Sequence, residues 1–186
     1  MKSLAHVTDV KRHLHVSKQF DYFRDRAMAR SIYRSKDHSE IIKRLTDRNP
    51  ETGVAVFPTI KALQCFAAVL GFAHKRRIKL DRKNVENIEW HTFNNDNFTH
   101  YIYLIALAET SDMNVLKYDI ENSESTDENE NMIEIFEAYA NGGFEIIRNW
   151  LDKAPSDPYG DRALLIGMEK AGFLKKEVAT FSDVNF

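Results

Sequence analysis

Apolar positions along the chain recur mostly at helical intervals, in stretches separated by short polar turns. In residues 16–30, VSKQFDYFRDRAMAR, the positions Val16, Phe20, Phe23 and Ala27 lie four, three and four apart, which is one face of a helix, and Arg24, Arg26 and Arg30 flank it. The next five residues, SIYRS (31–35), are short and suit an extended segment. KDHSEIIKRLTDR (36–48) predicts a helix with Ile41, Ile42 and Leu45 inward, closed by the turn signal NPETG at 49–53. Pro58 suits the first position of a following helix, where a missing N–H has no partner to lose. Ile60, Leu63, Ala67 and Leu70 then repeat at three, four and three. Phe66, Ala68 and Val69 make this helix apolar nearly all round, as expected of a central, buried element.

RRIKL (76–80) and NIEWHTF (87–93) are candidates for a small β-hairpin spanning residues 76–93. DNFTHYIYLIALAETSDMNVL (96–116) predicts a second buried helix, with Ile102, Leu104 and Ile105 among its apolar residues. DIENSESTDENENMIE (119–134) is acidic and of low complexity, and reads as a mobile surface loop. After it Ile133, Phe136, Ala140, Phe144, Ile147 and Leu151 form a long amphipathic pattern that Gly142-Gly143 interrupts. Each glycine costs about 1 kcal/mol against alanine inside a helix. The pair therefore marks either a break or a place where another backbone comes close. APSDPYG (154–160) ends that helix, and DRALLIGMEKAGFL (161–174) is a last short one. The fold class is mainly α: an N-terminal helical arm (1–30), a single compact helical domain of five or six helices (31–175) with the acidic loop 119–134 inside it, and a tail (176–186).

Composition narrows the class. Twelve Phe and seven Tyr supply a real core, and only seven Gly and four Pro argue against a loop-rich chain. The first sixteen residues hold no apolar run of the secretory type, and the longest apolar runs fall short of a membrane span. The expectation is a cytoplasmic protein with no membrane contact. The net charge of −2 conceals an asymmetry: residues 1–90 carry +9 and residues 91–186 carry −11. Such a split either neutralises itself within the fold or offers one face to an anionic partner and another to a cationic one.

Little enzyme chemistry is legible. There is no nucleophile elbow, no phosphate-cradling glycine loop and no paired-histidine metal motif. The one cysteine, Cys65, falls inside the apolar helix, where a thiol packs as a small hydrophobe. His13 with His15, and His91 with His100, lack a third ligand. The acidic stretch lacks the spacing and sharp glycine turn of a calcium loop. The expectation is a non-catalytic protein with no cofactor, no metal and no small-molecule substrate. What stands out is HKRRIKLDRK (74–83), with six cations and one acid in ten residues. Lys75, Arg76, Arg77, Lys79, Arg82 and Lys83 are the candidate nucleic-acid contacts, since guanidinium forks and released counterions favour phosphate. Cations after a helix also complement its dipole, a purely structural reason for their presence. In the arm, Phe20 and Phe23 are candidate anchors in a partner's groove, with Arg24, Arg26 and Arg30 at the rim.

Four stretches, FPTIKALQCFAAVLGFAHKRRIKL, IEWHTF, YIYLIALAETSDMNVL and IFEAYANGGFEIIRNWL, occur in an order that resembles the DNA phosphorothioation (Dnd) system-associated protein 4 family, over roughly residues 32–152. LGFAHKRRIKL and YANGGFEIIRNWL are the most specific parts. The resemblance implies a bacterial anti-phage or restriction locus and brings no catalytic residues with it. Two function classes follow. One is a non-catalytic subunit of a DNA-acting defence complex, contacting double-stranded DNA or a nuclease or ATPase partner from the same locus. The other is a transcriptional regulator of such a locus, which would dimerise and bind one promoter. A metal-dependent nuclease is a distant third.

Overall fold

A computed structural model describes residues 31–95, 97–116 and 131–174, and the described chain is mainly helical. In order it forms strand β1 (Ser31–Ser35), a 3-10 turn (Lys36–His38), α1 (Ser39–Thr46), α2 (Ile60–Ala73), β2 (Val85–Glu89), α3 (Trp90–Asn95), α4 (Thr99–Thr110), a second 3-10 turn (Met113–Leu116), α5 (Met132–Asp152) and α6 (Asp161–Lys170). The arm with Phe20, Phe23, Arg24, Arg26 and Arg30, most of the acidic stretch, and the tail lie outside the described residues. Residues 132–134, at the end of the acidic stretch, are the first of α5. None of the described helices is long and apolar enough to cross a membrane. By their contacts the described residues gather into two units: β1 with those of 80–137, and residues 36–79 with residues 138–174.

In the first unit the sheet is not the expected hairpin. β2 pairs antiparallel with β1, from Ser31 opposite Glu89 to Ser35 opposite Val85. Ile32 stands across from Ile88 and is fully buried. Residues 76–80 make no strand, because the Ile78 N–H is already taken by the carbonyl of Ala138 at 3.0 Å. The segment after β2 turns helical as α3 and buries Trp90 and Phe93, and Phe93 meets Phe136 of α5 edge-on at 6.1 Å. α4 buries Ile102, Ile105 and Ala106 but leaves Leu104 exposed, so it is covered on one side only.

A polar clamp closes this unit. The Glu137 carboxylate is 1% exposed; its Oε1 accepts the Tyr33 N–H at 2.7 Å, and Arg82 Nη2 lies 2.7 Å from its Oε2. The Arg82 guanidinium also sits over the Tyr33 ring, 5.2 Å from its centre. Burial pushes the Glu137 carboxyl up to about 7, although Arg82 and the Tyr33 N–H both pull it down.

The second unit is organised by α2 and α5. Thr59 caps α2, its Oγ1 accepting the Ala62 N–H at 3.2 Å. Pro58 therefore precedes the cap instead of opening the helix, since the hydroxyl of Thr59 can accept a bond that proline cannot. Leu63, Ala67 and Leu70 of α2 join Ile41, Ile42 and Leu45 of α1, Phe144, Ile147 and Leu151 of α5, and Ala163 and Leu164 of α6 in one buried cluster. α5 runs unbroken through Gly142-Gly143. Both glycines are filled by other main chain: a Cβ on Gly143 would overlap the Ala67 carbonyl, and one on Gly142 would overlap the Arg76 carbonyl. Gly71 answers from α2, where a Cβ would strike the Tyr139 carbonyl. Of the two roles open to the glycine pair, close backbone approach is the one realised.

Overpacking costs about 1–3 kcal/mol where side chains can shift. Here the obstacle is main chain, so the cost of Gly143→Ala is expected at the top of that range, beyond the about 1 kcal/mol that alanine returns in helix propensity. Its melting temperature should fall by about 5 °C. A wild-type melting curve would mean that the two helices do not meet there.

Glu137 makes stability depend on pH. Its ordinary value is 4.5, so between that and about 7 the folded state holds a proton that the unfolded state has released. The carboxyl's contribution is complete below the lower value and is lost as pH rises through the upper one. The melting temperature of Glu137→Gln, relative to wild type, is expected to climb between pH 5 and pH 8. A difference that stays constant over that range would show that the carboxyl titrates normally.

Candidate nucleic-acid interface

Helix α2 ends in a tight turn that throws the cations outward. The Arg76 N–H bonds back to the Gly71 carbonyl at 2.8 Å and the Lys75 N–H to the Phe72 carbonyl at 3.0 Å. This is the Schellman pattern, whose pivot residue adopts the left-handed conformation and is usually glycine. Here the pivot is Lys75, at φ 52°. An L-residue with a Cβ pays about 1–2 kcal/mol in that region.

The far side of the turn is fastened to α5. The Ile78 N–H is held by the Ala138 carbonyl, and the Ile78 carbonyl accepts from Asn141 Nδ2 at 3.3 Å. Asn141 is held in turn, because its Oδ1 lies 2.6 Å from His38 Nε2. Arg148 Nη2 donates to His38 Nδ1 at 3.0 Å, so the ring proton sits on Nε2 and points at Asn141. His38 is buried and stacked on Phe144 at 4.8 Å. Burial lowers its pKa and Arg148 adds to the effect, against the Asn141 hydrogen bond, which raises it. With Gly142 packed against the Arg76 carbonyl, residues 74–79 form a knuckle fixed by main chain on both sides.

Lys75, Arg76, Arg77 and Lys79 are all exposed on this knuckle. The Arg77 guanidinium leans over the Tyr139 ring at 5.8 Å. Among the described residues no acidic side chain pairs with Lys75, Arg76 or Lys79. Arg82 and Lys83 belong to the other unit. The charge of Arg82 is committed to Glu137, with Glu134 a further 3.9 Å neighbour. Lys83 is exposed, in a turn closed by its N–H on Asp81 Oδ1 at 3.0 Å.

Two residues beside the knuckle escaped the sequence reading. α6 ends in the same turn pattern as α2: the Phe173 N–H bonds to the Met168 carbonyl and the Gly172 N–H to Glu169, both at 3.0 Å, with Gly172 at φ 81°. Phe173 is thereby set edge-on to His74, ring centres 5.7 Å apart at 77°. His74 is exposed and Phe173 is 46% exposed. The run Ala171-Gly172-Phe173 is a readable helix stop, but nothing local ties it to a histidine so far back in the chain.

Burial pushes the Cys65 thiol up to about 12, far from a working thiolate. A shallow pocket of about 170 Å³ beside Asp37, Glu40, Arg44 and Arg148 has both guanidiniums engaged. Arg44 donates to the carbonyls of Ala154 and Asp157, and Arg148 donates to that of Asp37 at 2.8 Å.

Residues 31–183 match the model of the family described as DNA sulphur modification system-associated protein 4. No curated protein and no solved structure matches the chain.

Lys75 offers a direct test of the knuckle. Glycine fits the left-handed pivot without strain, so Lys75→Gly is expected to stabilise the fold by about 0.5–1 kcal/mol after its extra unfolded-state entropy is counted. Denaturant titration measures this. A loss of stability would mean that the lysine side chain serves the fold itself.

Proposed function

The chain belongs to the DNA sulphur modification system-associated protein 4 family, and from that premise we propose that it is a non-catalytic accessory subunit of a bacterial anti-phage defence complex acting on DNA. In this reading the knuckle at residues 75–79 lies against DNA phosphates, and other surfaces meet a nuclease or ATPase subunit from the same locus. One observation carries the reading: four exposed cations stand on a rigid turn whose pivot is a lysine where glycine would be more stable. Dipole complementarity explains cations near a helix end, yet it gives no reason to place one at the strained position. Contacts of this type neutralise phosphates and release counterions without reading base sequence.

The variant carrying Lys75→Ser, Arg76→Ser, Arg77→Ser and Lys79→Ser tests it. These are surface side chains, so stability is expected to stay within about 1 kcal/mol of wild type. DNA affinity should fall at least tenfold, the salt dependence of binding should flatten by about three units of slope, and phage protection should be lost. Wild-type DNA affinity in the folded variant would overturn the proposal.

A further inference from the structure

We propose that His74 and Phe173 form a stacking platform for an unpaired nucleobase, so that the knuckle takes single-stranded DNA in preference to duplex. The inference rests on the reading of residues 75–79 as a phosphate site and adds what lies next to the phosphates. Both rings are carried on fixed supports. His74 is the residue that ends α2, and Phe173 follows the left-handed Gly172 that ends α6. The two rings meet edge to face, an arrangement that occupies one face of one ring only. Phe173 keeps 46% of its surface open, although a phenylalanine at the corresponding place in a helix stop normally folds back on its own helix.

The chemistry of the neighbours selects the occupant. A protein groove would match the apolar ring but not the run Lys75, Arg76, Arg77 and Lys79 that follows His74 directly in the chain. A strand of DNA offers both parts at once: a flat base for the ring and, one covalent unit away, phosphates for the cations. In a closed duplex each base is already stacked between its neighbours, and an aromatic ring at the surface has no face to meet. An unpaired nucleotide has one, and stacking of this type tolerates any base.

The experiment uses the full chain and a fluorescent thirty-nucleotide strand, alone or annealed to its complement, followed by anisotropy at one salt concentration. Wild type is expected to bind the single strand at least tenfold more tightly than the duplex. Phe173→Ala should weaken single-strand binding about tenfold and leave duplex binding unchanged. Phe173→Trp should restore the affinity, with its added emission quenched by the single strand. Equal affinity of wild type for both forms, or an unquenched tryptophan, would overturn the platform while leaving the phosphate site standing. Absence of binding to either form would overturn both. Duplex binding that falls in step with single-strand binding in Phe173→Ala would show that the ring supports the fold of the knuckle and is not a stacking surface.

Discussion

The second unit depends on main chain meeting main chain where α2 crosses α5. Three glycines, Gly71, Gly142 and Gly143, remove the side chains that would keep the helices apart, and the carbonyls of Ala67, Arg76 and Tyr139 occupy the vacated space. The helices do not give up burial to achieve this. Leu63 and Leu70 from α2 and Phe144 and Ile147 from α5 pack in the same cluster. Helical propensity is sacrificed at three positions, by about 1 kcal/mol each, in return for contact at a distance that no other residue allows. The knuckle inherits its rigidity from this crossing, because Arg76 belongs to both.

The cations of residues 75–83 meet two different fates. Arg82, itself half exposed, is committed to the buried Glu137 beside Tyr33, where its charge offsets part of the cost of taking a carboxylate out of water. Lys75, Arg76 and Lys79 meet no carboxylate among the described residues and keep their charge facing outward. The distinction is one of partner supply. The acids that could neutralise the knuckle are absent from the face that α5 turns towards it, where Ala138, Asn141 and Gly142 provide carbonyl, amide and bare backbone. A basic run in the sequence is thus two objects in the fold.

The helices were legible because their periodicity is strong. Ile133, Phe136, Ala140, Phe144, Ile147 and Leu151 are all buried as the spacing predicts, as are Ile41, Ile42 and Leu45. The strand at 31–35 was also readable, but its partner was not: an antiparallel strand is chosen by what remains unpaired after the helices dock, and Ile78 was already engaged by Ala138. Leu104 shows the limit of composition, since an apolar helix need not be covered on every side. At the candidate site the cations were visible as a run of letters. The left-handed lysine and the ring of Phe173 were not, because one is a backbone angle and the other comes from a distant helix end.

The glycine crossing also determines where this chain can change length. Adding or removing one residue in α2 between Ala67 and Gly71 would rotate everything beyond it by about 100° about the helix axis. Gly71 would then no longer face Tyr139, and the knuckle would leave α5. No rotamer adjustment compensates, because the surfaces in contact have no rotamers. The turn at residues 49–53 carries no such constraint, since a Cβ on Gly53 would meet nothing, so a change of length is expected to be tolerated there, while the interval from Ala67 to Arg76 acts as a fixed ruler.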